Sequence, residues 1–418
     1  MSVDLHTRAR ELDAADPLAE FRDRFVIADP GLIYLDGNSL GRLPVATRDR
    51  LRHAVEVEWG EDLIRGWDRW ITLAREAGDV LATGVLDALP GEVVLSDSTS
   101  VNLYKLASAA CDARPGRSVI VTDDDNFPTD QYVLQGLAAA RGMTLRVVKT
   151  DIDLGVSLDA VRDALDSDVA LVSLSHVAYR SGAIADLPAI TAAAHDAGSL
   201  VLWDLCHSAG AVPVPLRAAG ADLAIGCTYK HLNAGPGAPA FLYVRNDLQA
   251  ELRQPIWGWF GQRDQFAMAS GYDPVETVDR FVVGTPPVLG GYAALEGARL
   301  TAAAGIEAIA AKGAALGAYA IEVFDSWLAP HGLALASPRD NARRGAHVTL
   351  HHPRAWQLCQ AWKAAGVIPD FRTPDRLRVG LAPLYTRFVD VHEAFRRLTE
   401  IMASGAYAEF PAERSRVT

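Results

Sequence analysis

The sequence predicts an α/β fold, with a parallel sheet covered by helices on both faces in a large domain and a smaller C-terminal domain after it. From about Pro90, short apolar runs alternate with amphipathic stretches, which is typical of successive βα units. After about Gly291, an alanine-rich helical stretch leads into a second mixture of strand and helix patterns. The 418 residues also exceed the roughly 100–200 residues of one ordinary domain.

Apolar spacing and turn residues predict the individual elements. The polar residues up to about Phe25 have a helical pattern, and IADPGLIYLDGNSLG indicates a short strand followed by a glycine-rich turn. ATRDRLRHAVEVEWGEDL has helical apolar spacing. The strands predicted for the large domain are short apolar runs: EVVLSD, SVIVTDDD, TLRVVKTD, DVALVSLSHV, LVLWDLCHSAGA and DLAIGCTYK.

The C-terminal third predicts one long helix and a small α+β unit. EGARLTAAAGIEAIAAKGAALGAYAIEVFDSWLA is the helical stretch, HVTLHH and RLRVGLAP are strand candidates, and VDVHEAFRRLTEIMASGAY is the closing helix. We therefore expect an N-terminal segment, 1–55, packed with the small domain, a large α/β domain over 56–290, and a small domain over 291–418. No long Pro/Gly/Ser linker separates them, so we expect close packing.

Composition excludes several classes of protein. Half of the residues are hydrophobic and the net charge is −12, which argues against disorder and against nucleic-acid or anionic-membrane binding through bulk charge. The N-terminus lacks an apolar signal region, and no apolar run reaches membrane-spanning length, so we expect a cytoplasmic protein. The four cysteines have no metal-type spacing, which predicts neither a metal site nor a disulfide framework.

Lysine is rare, so few residues are candidates for a reaction that needs a lysine amine. Only five of the 40 basic residues are lysines. Lys230 follows an apolar strand directly, which is an unusual place for a solvated lysine. The other four fall on helix-like or strand-edge segments away from the strand ends: Lys105, Lys149, Lys312 and Lys363.

Polar residues that follow predicted strands are candidates for a ligand site, because ligands bind beyond the carboxyl ends of parallel strands. Residues 98–102 follow EVVLSD and lead into a helix, which indicates either an anion cradle or an ordinary helix cap. Asp204 ends LVLWD with His207 three residues later, and it either pairs with a ligand or caps the next helix. Lys230 lies at the same predicted edge.

A lysine, a carboxylate and a phosphate cradle are the parts of a pyridoxal phosphate site. The lysine amine forms a Schiff base, the acid keeps the pyridine nitrogen protonated, and the cradle holds the phosphate. Phe127 follows the predicted strand SVIVTDDD and can stack on the pyridine ring. The order of these parts along the chain predicts this cofactor more strongly than any one of them.

Longer stretches resemble the kynureninase family, whose members are fold-type-I pyridoxal phosphate enzymes of the aspartate aminotransferase superfamily. The resemblance extends from about Tyr34 to Phe388 and implies a large, mostly parallel sheet of seven strands between helices. Its most specific parts are DGNSLG and the lysine segment, which ordinary aminotransferases and cysteine desulfurases lack. The matching stretches are YLDGNSLGRLP, DSTSVNLYK, DNFPTDQYV, LVLWDLCHSAGAVPVPL, ADLAIGCTYKHLNAGPGAPAFLYV, GWFGQ, FVVGTPPVLG and RLRVGLAPLYTRF.

The resemblance implies a cofactor role for several residues. Lys230 matches the Schiff-base lysine, and Tyr229 matches a tyrosine that touches the phosphate and takes part in proton transfer. Asp204 matches the acid on the pyridine nitrogen. The other matches to cofactor contacts are Thr99, Ser100, Phe127, Asp130, Ser175, His207, Trp259 and Thr285.

The resemblance also implies substrate contacts and a homodimer. Arg378 matches the arginine that binds the substrate carboxylate, and its planar fork suits bidentate binding. Ser39 and Trp67 fall where substrate-facing residues lie, although ordinary core packing explains Trp67 nearly as well. Trp259 and Thr285 match residues that reach the phosphate across a dimer interface.

The resemblance implies hydrolysis of the Cβ–Cγ bond of L-kynurenine, or of its 3-hydroxy derivative, to anthranilate or 3-hydroxyanthranilate and L-alanine. Some family members have asparagine at the position of Thr285 or histidine at that of Trp67. The preference between kynurenine and 3-hydroxykynurenine therefore stays open. The pathway, whether tryptophan catabolism, NAD biosynthesis or secondary metabolism, stays open too. One alternative is a cysteine desulfurase or an aminotransferase. A desulfurase needs a mobile, reactive cysteine, whereas Cys359 lies in AWQLCQAWK, which has a helical pattern. Another is a non-catalytic cofactor-binding regulator, which the intact residue set and the acidic charge argue against.

Overall fold

The computed structural model describes residues 4–413. Its strands are β1 (Ile33–Tyr34), β2 (Val93–Leu95), β3 (Val119–Asp123), β4 (Thr144–Val148), β5 (Val169–Ser175), β6 (Leu200–Asp204), β7 (Leu223–Gly226), β8 (Phe241–Val244), β9 (Ala334–Leu335), β10 (His347–His351), β11 (Val367–Ile368), β12 (Asp370–Arg372) and β13 (Arg376–Gly380). Its α-helices are α1 (Leu5–Ala14), α2 (Val45–His53), α3 (Trp67–Trp70), α4 (Leu73–Gly84), α5 (Thr99–Asp112), α6 (Pro128–Arg141), α7 (Leu158–Asp163), α8 (Leu187–Asp196), α9 (Val288–Ala304), α10 (Ile306–Val323), α11 (Ala355–Ala364) and α12 (Phe388–Ser404). Short 3-10 and π-helical turns connect several of them.

A seven-stranded sheet forms the centre of the large α/β unit. Its strand order is β2-β8-β7-β6-β5-β3-β4, and every neighbouring pair is parallel except the two that involve β8. The parallel strands β5, β6 and β7 are buried almost throughout, as expected for a sheet with helices on both faces. The predicted α/β fold class is confirmed. The antiparallel strand β8 was not among the predicted strands, because FLYV follows the GPGAPA loop without a helix between them.

A second, smaller sheet and the N-terminal segment form the other unit. Strands β12, β13, β10 and β9 make a four-stranded antiparallel sheet, and β1 pairs in parallel with β11. One hydrophobic cluster draws its residues from 54–298, whereas another combines Ala9, Ile33 and Leu35 with residues 316–398. We propose the division into 1–55, 56–290 and 291–418, with the start of the third segment, up to Ala298, packed in the first cluster. Residues 1–3 and 414–418 of the outer two segments lie outside the described residues.

Two predicted helices differ from those observed. The N-terminal helix α1 ends at Ala14, and the chain up to Phe25 continues as a turn and a short 3-10 helix rather than as one helix. The alanine-rich stretch forms two helices, α9 and α10, separated by Gly305 at a φ of +79°. Glycine adopts this left-handed conformation without steric cost, so the chain bends there despite uninterrupted apolar spacing.

No single helix within residues 4–413 is long and apolar enough to cross a membrane. The bent pair of α9 and the segment Ile306–His331 meets the length and composition criteria only when the two are taken together, across a bend of 79°.

Gly297 allows α9 to approach the loop that carries Lys230. A methyl group at this position would collide with the carbonyl oxygen of Leu232. We expect G297A to lower the free energy of unfolding by about 1–3 kcal/mol, the usual cost of overpacking. In exposed Gly136 of α6, by contrast, a methyl group meets nothing within 4 Å, so G136A should stabilise the protein by roughly 0.5–1 kcal/mol. Urea unfolding of both variants tests this, and equal effects would contradict it.

Candidate active site

A cavity of about 680 Å³ lies beyond the carboxyl ends of the parallel strands. Seven of the residues predicted from the sequence line it: Thr99, Ser100, Phe127, Asp130, Tyr229, Lys230 and Thr285. Asp204 and His207 lie behind this lining and contact it, and Ser175 is linked to it through Asn126, as described below. The geometry of parallel strands explains the convergence, since each βα connection places its polar residues at the same edge.

Lys230 follows β7 and presents its amine to the cavity. Its Nζ lies 3.0 Å from Nε2 of His207 and 5.9 Å from the centroid of the Phe127 ring. Burial and the positive charge of Lys230 hold the pKa of His207 well below its usual value. The imidazole is therefore neutral at neutral pH, and its Nε2 can accept a hydrogen bond from the lysine.

Two carboxyl groups meet beneath the cavity. Asp204 ends β6 directly beside Ser175, the last residue of β5, and its Oδ1 accepts a hydrogen bond from the backbone N–H of Cys206 at 2.7 Å. Asp130 lies in the first turn of α6 and is buried. Burial and the negative charge of Asp204 raise the pKa of Asp130 well above its usual value. The raised pKa favours the protonated form of Asp130.

The N-terminus of α5 borders the cavity and supplies hydrogen-bond donors. Ser98 caps the helix, and its hydroxyl accepts from the N–H of Val101 at 3.4 Å. Thr99 and Ser100 follow as the first two helical residues and line the cavity. The first N–H groups of a helix have no partner within the helix, and the helix dipole there favours an anion.

Ser175 acts on the cavity through Asn126. Its hydroxyl donates to Oδ1 of Asn126 at 2.8 Å, and the same oxygen accepts from the N–H of Phe127 at 2.8 Å. The Phe127 ring packs edge-on against Tyr179 at a centroid distance of 5.3 Å and is 38% exposed. The ring therefore keeps a free face toward the cavity, as stacking requires.

Arg378 is buried and already paired. Its Nε donates to Oδ2 of Asp370 at 2.9 Å, and its Nη2 donates to Oγ of Ser39 at 3.0 Å and also to Asp370. Its Nη1 donates to the carbonyl oxygen of Tyr179, which touches Phe127. Ser39 and Arg378, predicted separately, are thus in contact. A substrate carboxylate that binds Arg378 has to compete with Asp370.

Trp67 and Trp259 lie apart from this cavity in the single chain, and Ser39 and Arg378 are not among its lining residues either. Trp67 packs edge-on against Trp70 and lies 6.3 Å from Phe260, measured between ring centroids. Trp259 is 43% exposed and packs against Phe260. Neither lines the cavity, whereas Thr285 lines the cavity of its own chain and reaches it without a neighbouring chain.

Known proteins match this chain over nearly its full length. The family model described as the kynureninase C-terminal domain matches residues 309–398. Kynureninase from Pseudomonas fluorescens is 43% identical over 406 residues, which cover 95% of each chain. Kynureninase from Burkholderia pseudomallei (strain 1106a) is 43% identical over 420 residues, covering 98% of this chain and 99% of the relative.

The chain belongs to the kynureninase family. The resemblance carried by DGNSLG and the lysine segment is therefore confirmed. Two solved structures share the fold of this kynureninase-family chain. An apo cysteine desulfurase from Thermococcus onnurineus superposes with a TM-score of 0.81 at 18% identity, covering 92% of this chain and 98% of its own. A C-DES mutant with glycine covalently linked to its pyridoxal phosphate cofactor gives 0.79 at 18% identity, covering 91% and 99%.

Part of this kynureninase-family site is not predicted from the sequence. Asp370 neutralises Arg378 because the two lie opposite each other on β12 and β13, a register that the TPD turn between them could have suggested. Asp97 and Ser96 also line the cavity. The prediction that Lys105 lies away from the strand ends is wrong, since its Nζ contacts both of them just after β2. A hydrogen bond from a helix side chain back to the loop before the helix leaves no periodic pattern in the sequence.

Asp123 gives the site a pH-dependent stability. It ends β3, and burial together with the charge of Asp124 raises its pKa to about 7. A carboxyl whose pKa is higher in the folded state than the usual 3.8 contributes stability at low pH, and this contribution is lost as the pH rises toward 7. We expect D123N to be more stable than the wild type at about pH 8, with a smaller gap at about pH 5. Thermal melts at both pH values test this, and a gap that does not change with pH would contradict it.

Proposed function

We propose that the protein is a pyridoxal phosphate-dependent hydrolase that cleaves the Cβ–Cγ bond of L-kynurenine, or of 3-hydroxy-L-kynurenine. The products are L-alanine and anthranilate, or 3-hydroxyanthranilate. The observation that carries the proposal is the amine of Lys230, which faces a cavity bordered by a helix N-terminus and a pair of carboxyl groups. The full-length relatives named kynureninase support the same activity.

The residues around the cavity suit pyridoxal phosphate. Thr99, Ser100 and the first N–H groups of α5 would hold the phosphate, and the free face of Phe127 would lie against the ring. The side chain of Asp204, which ends β6 beneath the cavity, would hold the pyridine nitrogen. Nδ1 of His207 is buried and has no hydrogen-bond partner within residues 4–413. A polar group of a ligand would satisfy it.

When bound, pyridoxal phosphate supplies an electron sink that lets charge develop on the carbon next to the substrate nitrogen. The Nζ of Lys230 would hold the cofactor, and the same Nζ, when free, would take the proton from the substrate Cα. His207 is neutral and 3.0 Å from Nζ, so it orients the amine without competing for a positive charge. Arg378 binds the substrate carboxylate.

Hydrolysis of the ketone completes the reaction. Water adds to Cγ, the Cβ–Cγ bond breaks, and its electrons remain with Cβ, which takes a proton to become the methyl group of alanine. Burial raises the pKa of Tyr229 well above its usual value, so its phenol stays protonated and can donate this proton. The Nζ of Lys230 then returns a proton to Cα. The aryl carboxylate leaves with the oxygen of the added water.

The cysteines argue against a desulfurase. Such an enzyme needs an accessible thiolate, and all four cysteines are free but buried. Burial raises the pKa of Cys359 to about 12 and that of Cys111 to about 11. Free, buried cysteines also support a reducing compartment, and we propose a cytoplasmic location.

We also propose a homodimer. Two segments expose large apolar side chains in the single chain, including Trp59, Ile64, Trp257 and Phe266, each more than 60% exposed. The segments adjoin, because Phe260 lies near both Trp67 and Trp259. Patches of this kind mark protein interfaces. A second copy covering the patch would bring Trp259 and Trp67 close to a partner chain.

K230A tests the chemistry. We expect anthranilate release from kynurenine to fall at least about a thousandfold, and the visible absorbance of cofactor bound through the lysine to disappear. K149A is the matched control, because the side chain of Lys149 is 90% exposed, and it should behave as the wild type. Activity retained in K230A would refute the proposal. Alanine release from cysteine, measured in parallel, would identify a desulfurase, and kcat/KM for the two kynurenines measures ring preference.

I64D tests the dimer. Light scattering of the wild type should give twice the 44.9 kDa of one chain, whereas I64D, with a charge in the apolar patch, should shift the mass toward that of the monomer. Leu154 is 50% exposed but lies outside the patch, so L154D should remain dimeric. A monomeric wild type, or equal behaviour of the two variants, would contradict the proposed assembly.

A further inference from the structure

Lys105 is a fully buried lysine beside the cavity that the proposed chemistry does not use. It lies two turns into α5, and its Nζ points back toward the start of the helix. The amine donates to Oδ2 of Asp97 at 2.7 Å, to Oγ of Ser96 at 2.8 Å and to the carbonyl oxygen of Phe281 at 2.6 Å. Three acceptors around one ammonium satisfy all of its donors.

These contacts join two walls of the cavity. Ser96 and Asp97 precede the helix N-terminus that lines one side. Phe281 precedes residues 282–287, which line the other side and include Thr285. Asp97 has a φ of +43°, a left-handed conformation that a residue with a side chain rarely adopts. The bond from Lys105 holds the aspartate in this conformation.

The contacts also set the charge of the cavity. The side chain of Asp97 is 34% exposed and lies next to the donors of Thr99 and Ser100. An unpaired carboxylate there would repel any anion that these donors bind. Among the described residues that line the cavity, Lys230 is the only cation, so no other lining side chain can offset the negative charge of Asp97. Lys105, which lies behind the lining, offsets that charge.

We propose that Lys105 is a positioning residue for phosphate binding, whose buried ammonium neutralises Asp97 and ties residues 96–100 to residues 281–287. The inference rests on the proposed function, since it takes the phosphate of pyridoxal phosphate as the anion. It predicts that Lys105 matters for the phosphate group and not for the pyridine ring.

A second buried pair provides the matched control. Lys312 lies 2.6 Å from Asp16, with both side chains at most 5% exposed, and neither residue lines the cavity. Burial lowers the pKa of both Lys105 and Lys312. Replacing either lysine by methionine leaves a carboxylate without its partner, partly exposed Asp97 or buried Asp16, and should lower the melting temperature. Only K105M should change anion binding.

The test measures the affinity of the full-length protein, freed of cofactor, for pyridoxal phosphate and for pyridoxal, which lacks the phosphate. We expect K105M to bind pyridoxal phosphate at least about tenfold more weakly than the wild type, because a negative charge near the anion is exposed. Pyridoxal affinity should not change. K312M should bind both compounds as the wild type does.

Variants of Asp97 separate charge from packing. D97N/K105M, which removes both charges, should bind pyridoxal phosphate within about threefold of the wild type if the two residues act as a pair. D97N alone keeps the lysine and should bind at least as tightly as the wild type, so it tests the proposal even if K105M fails to fold.

Three outcomes would overturn the inference: K105M that binds pyridoxal phosphate as the wild type does, K105M that loses both compounds equally, or D97N that binds pyridoxal phosphate more weakly. A wild-type protein that binds no pyridoxal phosphate would instead refute the proposed function, and this inference with it.

Discussion

The register of three adjacent parallel strands determines where the site lies. Ser175 at the end of β5 lies beside Asp204 at the end of β6, and Asp204 lies beside Ile225 in β7, four residues before Tyr229 and five before Lys230. A shift of one residue in β6 would turn the Asp204 side chain to the opposite face of the sheet. Asp204 could then no longer lie beneath the cavity with Asp130, while Lys230 would be unchanged. The chemistry therefore depends on backbone pairing that is buried on both faces.

Burial at this edge keeps the protonation states distinct. His207, His231 and His347 are buried close together, and burial lowers the pKa of each, with the positive charge of Lys230 or Arg378 adding to the effect. Neutral imidazoles leave the positive charge of the site to lysine and arginine. Burial and the neighbouring Asp204 act in the opposite direction on Asp130 and raise its pKa. A low dielectric strengthens these interactions.

Each buried cation of the site has an acid partner from another part of the fold or from the adjoining loop. Asp370 holds Arg378 across a hairpin, and Asp97 holds Lys105 at the end of a strand. Such pairs cost desolvation energy when they form, but losing one partner costs more, because it leaves the other charge buried and unpaired. The pairs therefore fix the orientation of the groups that would face the cofactor and the substrate. They also keep a chain of net charge −12 able to bind anions locally.

The sequence by itself determined the βα order, the cradle at the start of α5 and the lysine, since each depends on residues that are close together in the chain. Five lysines and one strand-lysine segment were enough to indicate Lys230. Only the tertiary structure decided that Asp370 neutralises Arg378, that β8 runs antiparallel, and that Lys105 turns back beneath the cavity. These features depend on strand register and on side-chain direction within a packed core, and local spacing carries no information about either.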